Sequence, residues 1–190
     1  MGRPKAMLVL AGTTLLDRAV AASAGYPTAL VIGVDPPRAL LAAAARAARD
    51  FGVLLISNPA PERGMSSSLA LANRALGRPA SALVVLLADT PFVDAQLVRR
   101  IAAARGDADV AYPARDGRTG HPVVFGPRVR EAIHTLPDGD TLRMLRADQR
   151  FSRVAVPIDD DAPYVDLDTE AEFRAAEARS SRPGSADSAS

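Results

Sequence analysis

The chain has 190 residues, 48% of them hydrophobic, enough for one domain with a sizeable core. Its 23 basic and 22 acidic side chains leave a formal net charge of +1, which gives no reason to expect bulk binding to nucleic acid or to a membrane surface. It contains no cysteine, which excludes a disulfide framework and any thiolate metal site.

The start, Met1-Gly2-Arg3-Pro4-Lys5, has no apolar stretch behind it that would suit a signal peptide. Apolar runs such as residues 82–88 are too short to span a bilayer, so a cytoplasmic protein is expected. Lys5 is the sole lysine in a sequence that otherwise uses arginine. Codon bias accounts for the arginines and leaves open why one ammonium was kept; a compact point charge suits a phosphate in a tight site. A helical pattern over residues 14–24 leads to a strand at 28–34, a helix at 37–50 and a strand at 53–57.

The next loop runs from Ser57-Asn58-Pro59 to Ser66-Ser67-Ser68 and opens a helix over 66–76, with serines at or near its N-cap. The loop is either an ordinary capped helix start or a place where free backbone N–H groups take an anion or a carbonyl. A buried strand over 82–88 ends on Asp89-Thr90-Pro91. A carboxylate there either caps a turn or holds Mg²⁺ at the mouth of a crevice.

Further on come a helix at 94–105, strands at 108–112 and 121–125, and helices at 128–136 and 141–148. Gly120-His121-Pro122 starts the second of those strands; His134 reads as a structural histidine. A strand at 153–158 is followed by Asp159-Asp160-Asp161, read as a solvated turn. A last strand at 164–167 would turn Asp166 and Asp168 toward one face. Thr169 and Glu172 form a capping box that starts a helix at 169–178 and leaves Asp168 free as a metal ligand.

Strands and helices that alternate in this way predict an α/β domain with a mainly parallel sheet covered by helices on both faces. The expected domain covers residues 1–178, and the Ser-rich stretch 179–190 reads as a disordered tail. In such sheets ligands bind beyond the carboxyl ends of the strands, where Asn58, Asp89 and Asp168 fall.

Together these residues resemble the molybdenum cofactor cytidylyltransferase family, a group of Rossmann-like nucleotidyltransferases. Met1-Gly2-Arg3-Pro4-Lys5 matches the end of the family's Gly-rich loop, and residues 6–16 match the segment after it. Asn58-Pro59 with Gly64 to Leu69 resembles its base-side loop. Asp89-Thr90-Pro91 resembles its metal-binding strand end, Gly117 to Val123 its Gly-His-Pro segment, and Asp166-Leu167-Asp168-Thr169 its Asp-x-Asp-Thr. The family's first strand and the glycine-rich start of the loop have no counterpart. Met7-Leu8-Val9-Leu10-Ala11-Gly12 does not supply them, since Lys5 would then precede the loop. Unpaired strand edges, or an intruding segment such as residues 7–10, are the expected consequence.

The resemblance implies transfer of a nucleotidyl group, CMP from CTP with GTP as the other candidate, to the phosphate of molybdopterin or a similar acceptor, releasing pyrophosphate. It implies Mg²⁺ held by Asp89 and Asp168, and a nucleotide bound by Gly2, Arg3, Lys5, Asn58, Ser66 and Ser67. Lys5 and Asp89 would be catalytic, and His121 would face the acceptor. A molybdoenzyme or its maturation factor would be a further partner. Two other classes remain open: an NAD(P)H-dependent oxidoreductase, and a non-catalytic nucleotide-binding remnant.

Overall fold

The computed structural model describes residues 4–77, 82–136 and 141–180. Gly2 and Arg3 lie outside the described residues, as does the tail from residue 181. A 3₁₀ turn, Lys5–Met7, leads into a hairpin of β1 (Val9–Leu10) and β2 (Thr13–Thr14). Its two turn residues, Ala11 (φ 48°) and Gly12 (φ 80°), both have the left-handed backbone that a two-residue hairpin turn demands. The Thr14 hydroxyl accepts from the Asp17 N–H at 3.1 Å and starts α1 (Leu15–Ala22).

β3 (Ala29–Gly33), α2 (Arg38–Phe51) and β4 (Leu54–Asn58) form a parallel βαβ unit, with Ala29 opposite Leu54 and Gly33 opposite Asn58. α2 buries small residues, Ala43, Ala44 and Ala47, and ends at Gly52 with φ 67°. The chain continues through the 3₁₀ turn Pro61–Arg63 to α3 (Met65–Ala75), β5 (Leu83–Val85) and α4 (Ala95–Ala104). The Asp94 carboxylate caps α4 by accepting from the Leu97 N–H. Next come β6 (Val110–Arg115), β7 (Arg118–Thr119), β8 (Val123–Phe125), α5 (Pro127–Ala132), α6 (Thr141–Ala147), β9 (Arg153–Pro157) and α7 (Glu170–Ser180).

β5, β8, β6 and β7 pair in that order, and β9 pairs with β6. The β6–β9 ladder is parallel; β5–β8, β6–β8 and β6–β7 are antiparallel. Val110, Val123 and Phe125 pack with Leu69 of α3, Val129 of α5 and Leu145 of α6. Across the sheet, Ala111 and Val124 pack with Ile101 of α4 and with Val156. Alternate strand residues therefore face two helical layers, as the expected α/β architecture requires.

The strands fall into separate sheets. Among the described residues β3 pairs with β4 alone, and β5 with β8 alone. Helices nonetheless span both parts. α1 places Val20 in the cluster that includes Leu30, and Ala22 in the cluster that includes Val84 and Leu86. α3 lies against β3 and β4 and also contributes Leu69 to the cluster that holds Leu83. All of β3 is half-buried. Among the described residues, residues 7–10 add no strand to β3 or β5: Val9 and Leu10 are paired with Thr14 and Thr13.

Two expectations are corrected. Residues 164–167 form no strand: a 3₁₀ turn, Ala162–Tyr164, precedes an extended stretch that makes isolated backbone bonds, Leu167 N–H to the Asp89 carbonyl among them (3.1 Å). At the C-terminus α7 runs through Arg179 and Ser180, two residues into the expected tail. Arg179 is tied to Asp160 at 3.2 Å and lies over the Phe92 ring at 4.7 Å.

Candidate active site

Three chain segments meet past the end of β5. Lys5 comes from the first turn, Asp89 from the loop after β5, and Asp166 and Asp168 from the stretch before α7. Lys5 Nζ donates to Asp168 Oδ1 at 2.5 Å, and both side chains are exposed. The bond to Asp168 holds the Lys5 ammonium above its ordinary pKa, with added attraction from Asp168, Asp89 and Asp166. Thr169 and Glu172 form the expected capping box: the Glu172 carboxylate accepts from the Thr169 N–H at 2.6 Å, and the Glu172 N–H donates to Thr169 Oγ1 at 3.2 Å. The cap fixes the helix start and leaves the Asp168 carboxylate to Lys5.

Asp89 is half-buried, and its Oδ1 has no hydrogen-bond partner. Burial pushes its carboxyl above the usual carboxylate range, against the pull of Lys5 and of its own backbone N–H; Asp168 and Asp166 push the same way as burial. A buried carboxylate oxygen without a donor has the chemistry of a hard-cation ligand, although among the described residues no three carboxylates or histidines are gathered closely enough to form a ready metal cluster. The turn after β5 does not rely on Asp89 for capping, because Thr90 Oγ1 donates to the Leu87 carbonyl at 2.8 Å.

Asp89 and Asp166 line a cleft of about 330 Å³ with Thr119, Gly120, His121 and Arg146. Its wall depends on Gly120. A Cβ there would lie 2.1 Å from the Pro163 carbonyl oxygen, to which the His121 N–H donates at 2.9 Å. His121 is largely enclosed, and its Nδ1 is unpartnered. Burial pushes its imidazole below the usual histidine range; Arg146 pushes the same way, against the Val85 backbone and Asp166.

The loop after β4 is organised by Asn58, which is 1% exposed. Its amide donates to Ser67 Oγ at 2.8 Å and to Ser68 Oγ at 2.9 Å, and its Oδ1 accepts from the Ala60 N–H. Ser67 Oγ in turn donates to the Gly64 carbonyl at 2.9 Å, and the buried Ser66 donates to the Arg63 carbonyl. The serines do not cap α3, a correction to the sequence reading. Its N-cap is Gly64, at φ 82°, with no side-chain cap bond, so the first amides of α3 receive no capping side chain.

Sequence reasoning turned Asp166 toward the same face as Asp168 without giving it a role, and did not single out Arg146 for the cleft. Arg146 lies on a short helix whose charge pattern resembles any solvated face. His134 is structural as read, its Nε2 lying 3.0 Å from Asn73 Nδ2. The Asp159-Asp160-Asp161 turn is exposed as read, with Asp161 paired to Arg115 and Asp160 accepting from the Ala162 N–H at 2.5 Å.

Residues 1–154 match the family described as MobA-like NTP transferase domain. The chain is 31% identical over 185 residues to a molybdenum cofactor guanylyltransferase of Acidiphilium cryptum, covering 93% of this chain and 87% of the relative. It is also 31% identical over 189 residues to the enzyme of that name from a Bradyrhizobium species, covering 93% and 84%. Among solved structures it is similar to Rv0371c of Mycobacterium tuberculosis in complex with manganese, with 26% identity, a TM-score of 0.72 and 93% of each chain covered. No helix among the described residues is long and apolar enough to cross a membrane.

Proposed function

The chain belongs to the MobA-like NTP transferase domain family and is a nucleotidyltransferase; from that premise we propose that it transfers GMP from GTP to the phosphate of molybdopterin, releasing pyrophosphate. The carrying observation is the meeting of Lys5, Asp89, Asp166 and Asp168 beside the cleft, with a buried Asp89 oxygen left unpartnered. The names of both curated relatives favour guanylyl transfer. Cytidylyl transfer from CTP is the second reading, favoured by the Gly120-His121-Pro122 segment. Family membership favours transfer over the NAD(P)H-dependent oxidoreductase.

An acceptor phosphate is already anionic, so in-line attack on the α-phosphorus needs no general base. The barrier is the approach of two polyanions, which positioned opposite charge lowers. Asp89, with Asp168 and Asp166, would hold a divalent cation, Mg²⁺ by preference, that neutralises phosphate oxygens when bound. Lys5 would release Asp168 to the cation and place its ammonium on the triphosphate. Arg3 and Gly2 would complete the phosphate loop. Asn58, Ser66 and Ser67 would hold the loop before α3 so that its uncapped amides reach base or ribose. His121 would face the acceptor. A cytoplasmic location, and a molybdoenzyme or its maturation factor as recipient of the product, complete the proposal.

The test is pyrophosphate release from each of the four NTPs with molybdopterin, with Mg²⁺, Mn²⁺ or a chelator. GTP-dependent release that the chelator abolishes is expected. Release with CTP alone would overturn the guanylyl assignment, and metal-independent release would overturn the cation site.

A further inference from the structure

Arg143 and Arg146 both line the cleft, and the proposed reaction gives neither a role; of the two, Arg146 is the half-buried one. It lies on α6 and shares the cleft with Asp89, Asp166 and His121. No carboxylate among the described residues pairs with its guanidinium, whose recorded contact is the face of Tyr112, 5.5 Å from the ring centroid. Other sheltered arginines are provided for. Arg115 pairs with Asp161, Arg18 donates to the Leu10 carbonyl at 2.6 Å, and buried Arg130 donates to Asn73 Oδ1 at 2.7 Å and to the Gly77 carbonyl at 3.0 Å. A partly desolvated guanidinium with no protein acceptor is a ready site for an anion, because five fixed donors match a phosphate and desolvation strengthens the contact.

The charges in the cleft are of two signs. Asp89 and Asp166 suit a cation, and Arg146 suits an anion. A second phosphoryl group can therefore sit in the cleft beside a nucleotide whose own phosphates are met by Lys5. Resting on the nucleotidyl-transfer reading, we propose that Arg146 is the positioning residue for the acceptor: it binds the acceptor's phosphate and so selects phosphorylated acceptors over neutral ones. His121 lies between Arg146 and Asp166 electrostatically, since both act on its ring, and its unpartnered Nδ1 offers the bound acceptor a polar contact.

The experiment is a fluorescence titration of the full chain and of Arg146→Gln and Arg146→Lys with three probes, each added alone: a pterin bearing a side-chain phosphate, the same pterin without it, and GTP. Arg146→Gln removes the guanidinium that lies over Tyr112, whereas Arg146→Lys keeps a cation on a long stem, and a melting curve confirms the fold of each. Weakening of the phosphorylated probe by about ten- to a hundred-fold is expected in Arg146→Gln, with partial recovery in Arg146→Lys and no change for the unphosphorylated probe or for GTP. Equal losses for both pterins would reduce Arg146 to a packing residue, and a loss confined to GTP would move it to the triphosphate; either overturns the inference, as does failure of both pterins to bind. If the phosphate discrimination holds while no NTP yields pyrophosphate, the transfer reading fails and the acceptor site stands.

Discussion

Lys5 Nζ and Asp168 Oδ1 lie 2.5 Å apart, joining residues separated by 163 positions of sequence. The pair stands beside Asp89, which each of the two charges influences in opposite senses. Both partners are exposed, so the contact holds little folding energy, and its significance lies in where it puts an ammonium.

Replacement of Lys5 follows from that. Lys5→Ala should shift the melting temperature little, because solvent screens an exposed ion pair. It should lower pyrophosphate release by about ten- to a hundred-fold, the cost of one charge-assisted phosphate contact. Lys5→Arg should recover only part, because a planar fork does not replace a point charge. Steady-state kinetics beside a thermal melt check both parts; unchanged kinetics would make the lone lysine incidental.

Asp89→Asn should trade activity for stability. Burial holds the Asp89 carboxyl above its usual range, so the fold favours the protonated form. That contribution is present below the unfolded pKa and is lost as pH rises through the higher folded one. At neutral pH the wild type therefore carries an unfavourable charge that asparagine removes. A gain of about 1 kcal/mol, or roughly 2–4 °C in melting temperature, is expected, with loss of most cation-dependent turnover. A lower melting temperature would contradict this assignment.

The same shift sets a pH dependence. The cation needs the ionised carboxylate, so divalent affinity should fall with falling pH, beginning above the ordinary carboxylate range. Titration of Mn²⁺ at a series of pH values measures it; an onset within the ordinary range would remove Asp89 from the site.

Gly120→Ala should damage both fold and cleft. The new methyl would meet the backbone oxygen of Pro163, which cannot rotate away as a side chain could. A loss of about 1–3 kcal/mol is expected, read by urea denaturation. Weaker acceptor binding should accompany it, since His121 and Tyr164 flank the contact.

Hydrogen exchange should separate the two sheets. Val110 and Ala111 of β6 are paired on both sides, with β8 and with β9. β3 is paired on one side alone, so its alternate amides directed away from β4 should exchange much faster than those of β6. Equal protection would mean that β3 has a second partner in solution.

How much could be read in advance differs by kind of interaction. The order of strands and helices, the Thr169–Glu172 capping box and the polar residues at the strand ends depend on neighbours within a few positions, and each was visible as a local pattern. The 164–167 strand was misread because a short run of alternating residues does not reveal whether a neighbour will pair with it. Asn58 was legible as a strand-end amide. Its commitment to Ser67 and Ser68 was not, because that depends on how the loop folds back.

The sequence by itself determined the α/β class, the family resemblance and the presence of Lys5, Asp89 and Asp168 as chemically able residues. Tertiary structure alone decided that Lys5 reaches Asp168, that Gly120 abuts Pro163, and that, among the described residues, Arg146 enters the cleft without a carboxylate partner and β3 and β5 each pair on one side only. The physical reason is range. Caps and periodicity are set by contacts a turn or less away, whereas these four follow from strand order and helix packing, which bring together residues that no local pattern relates.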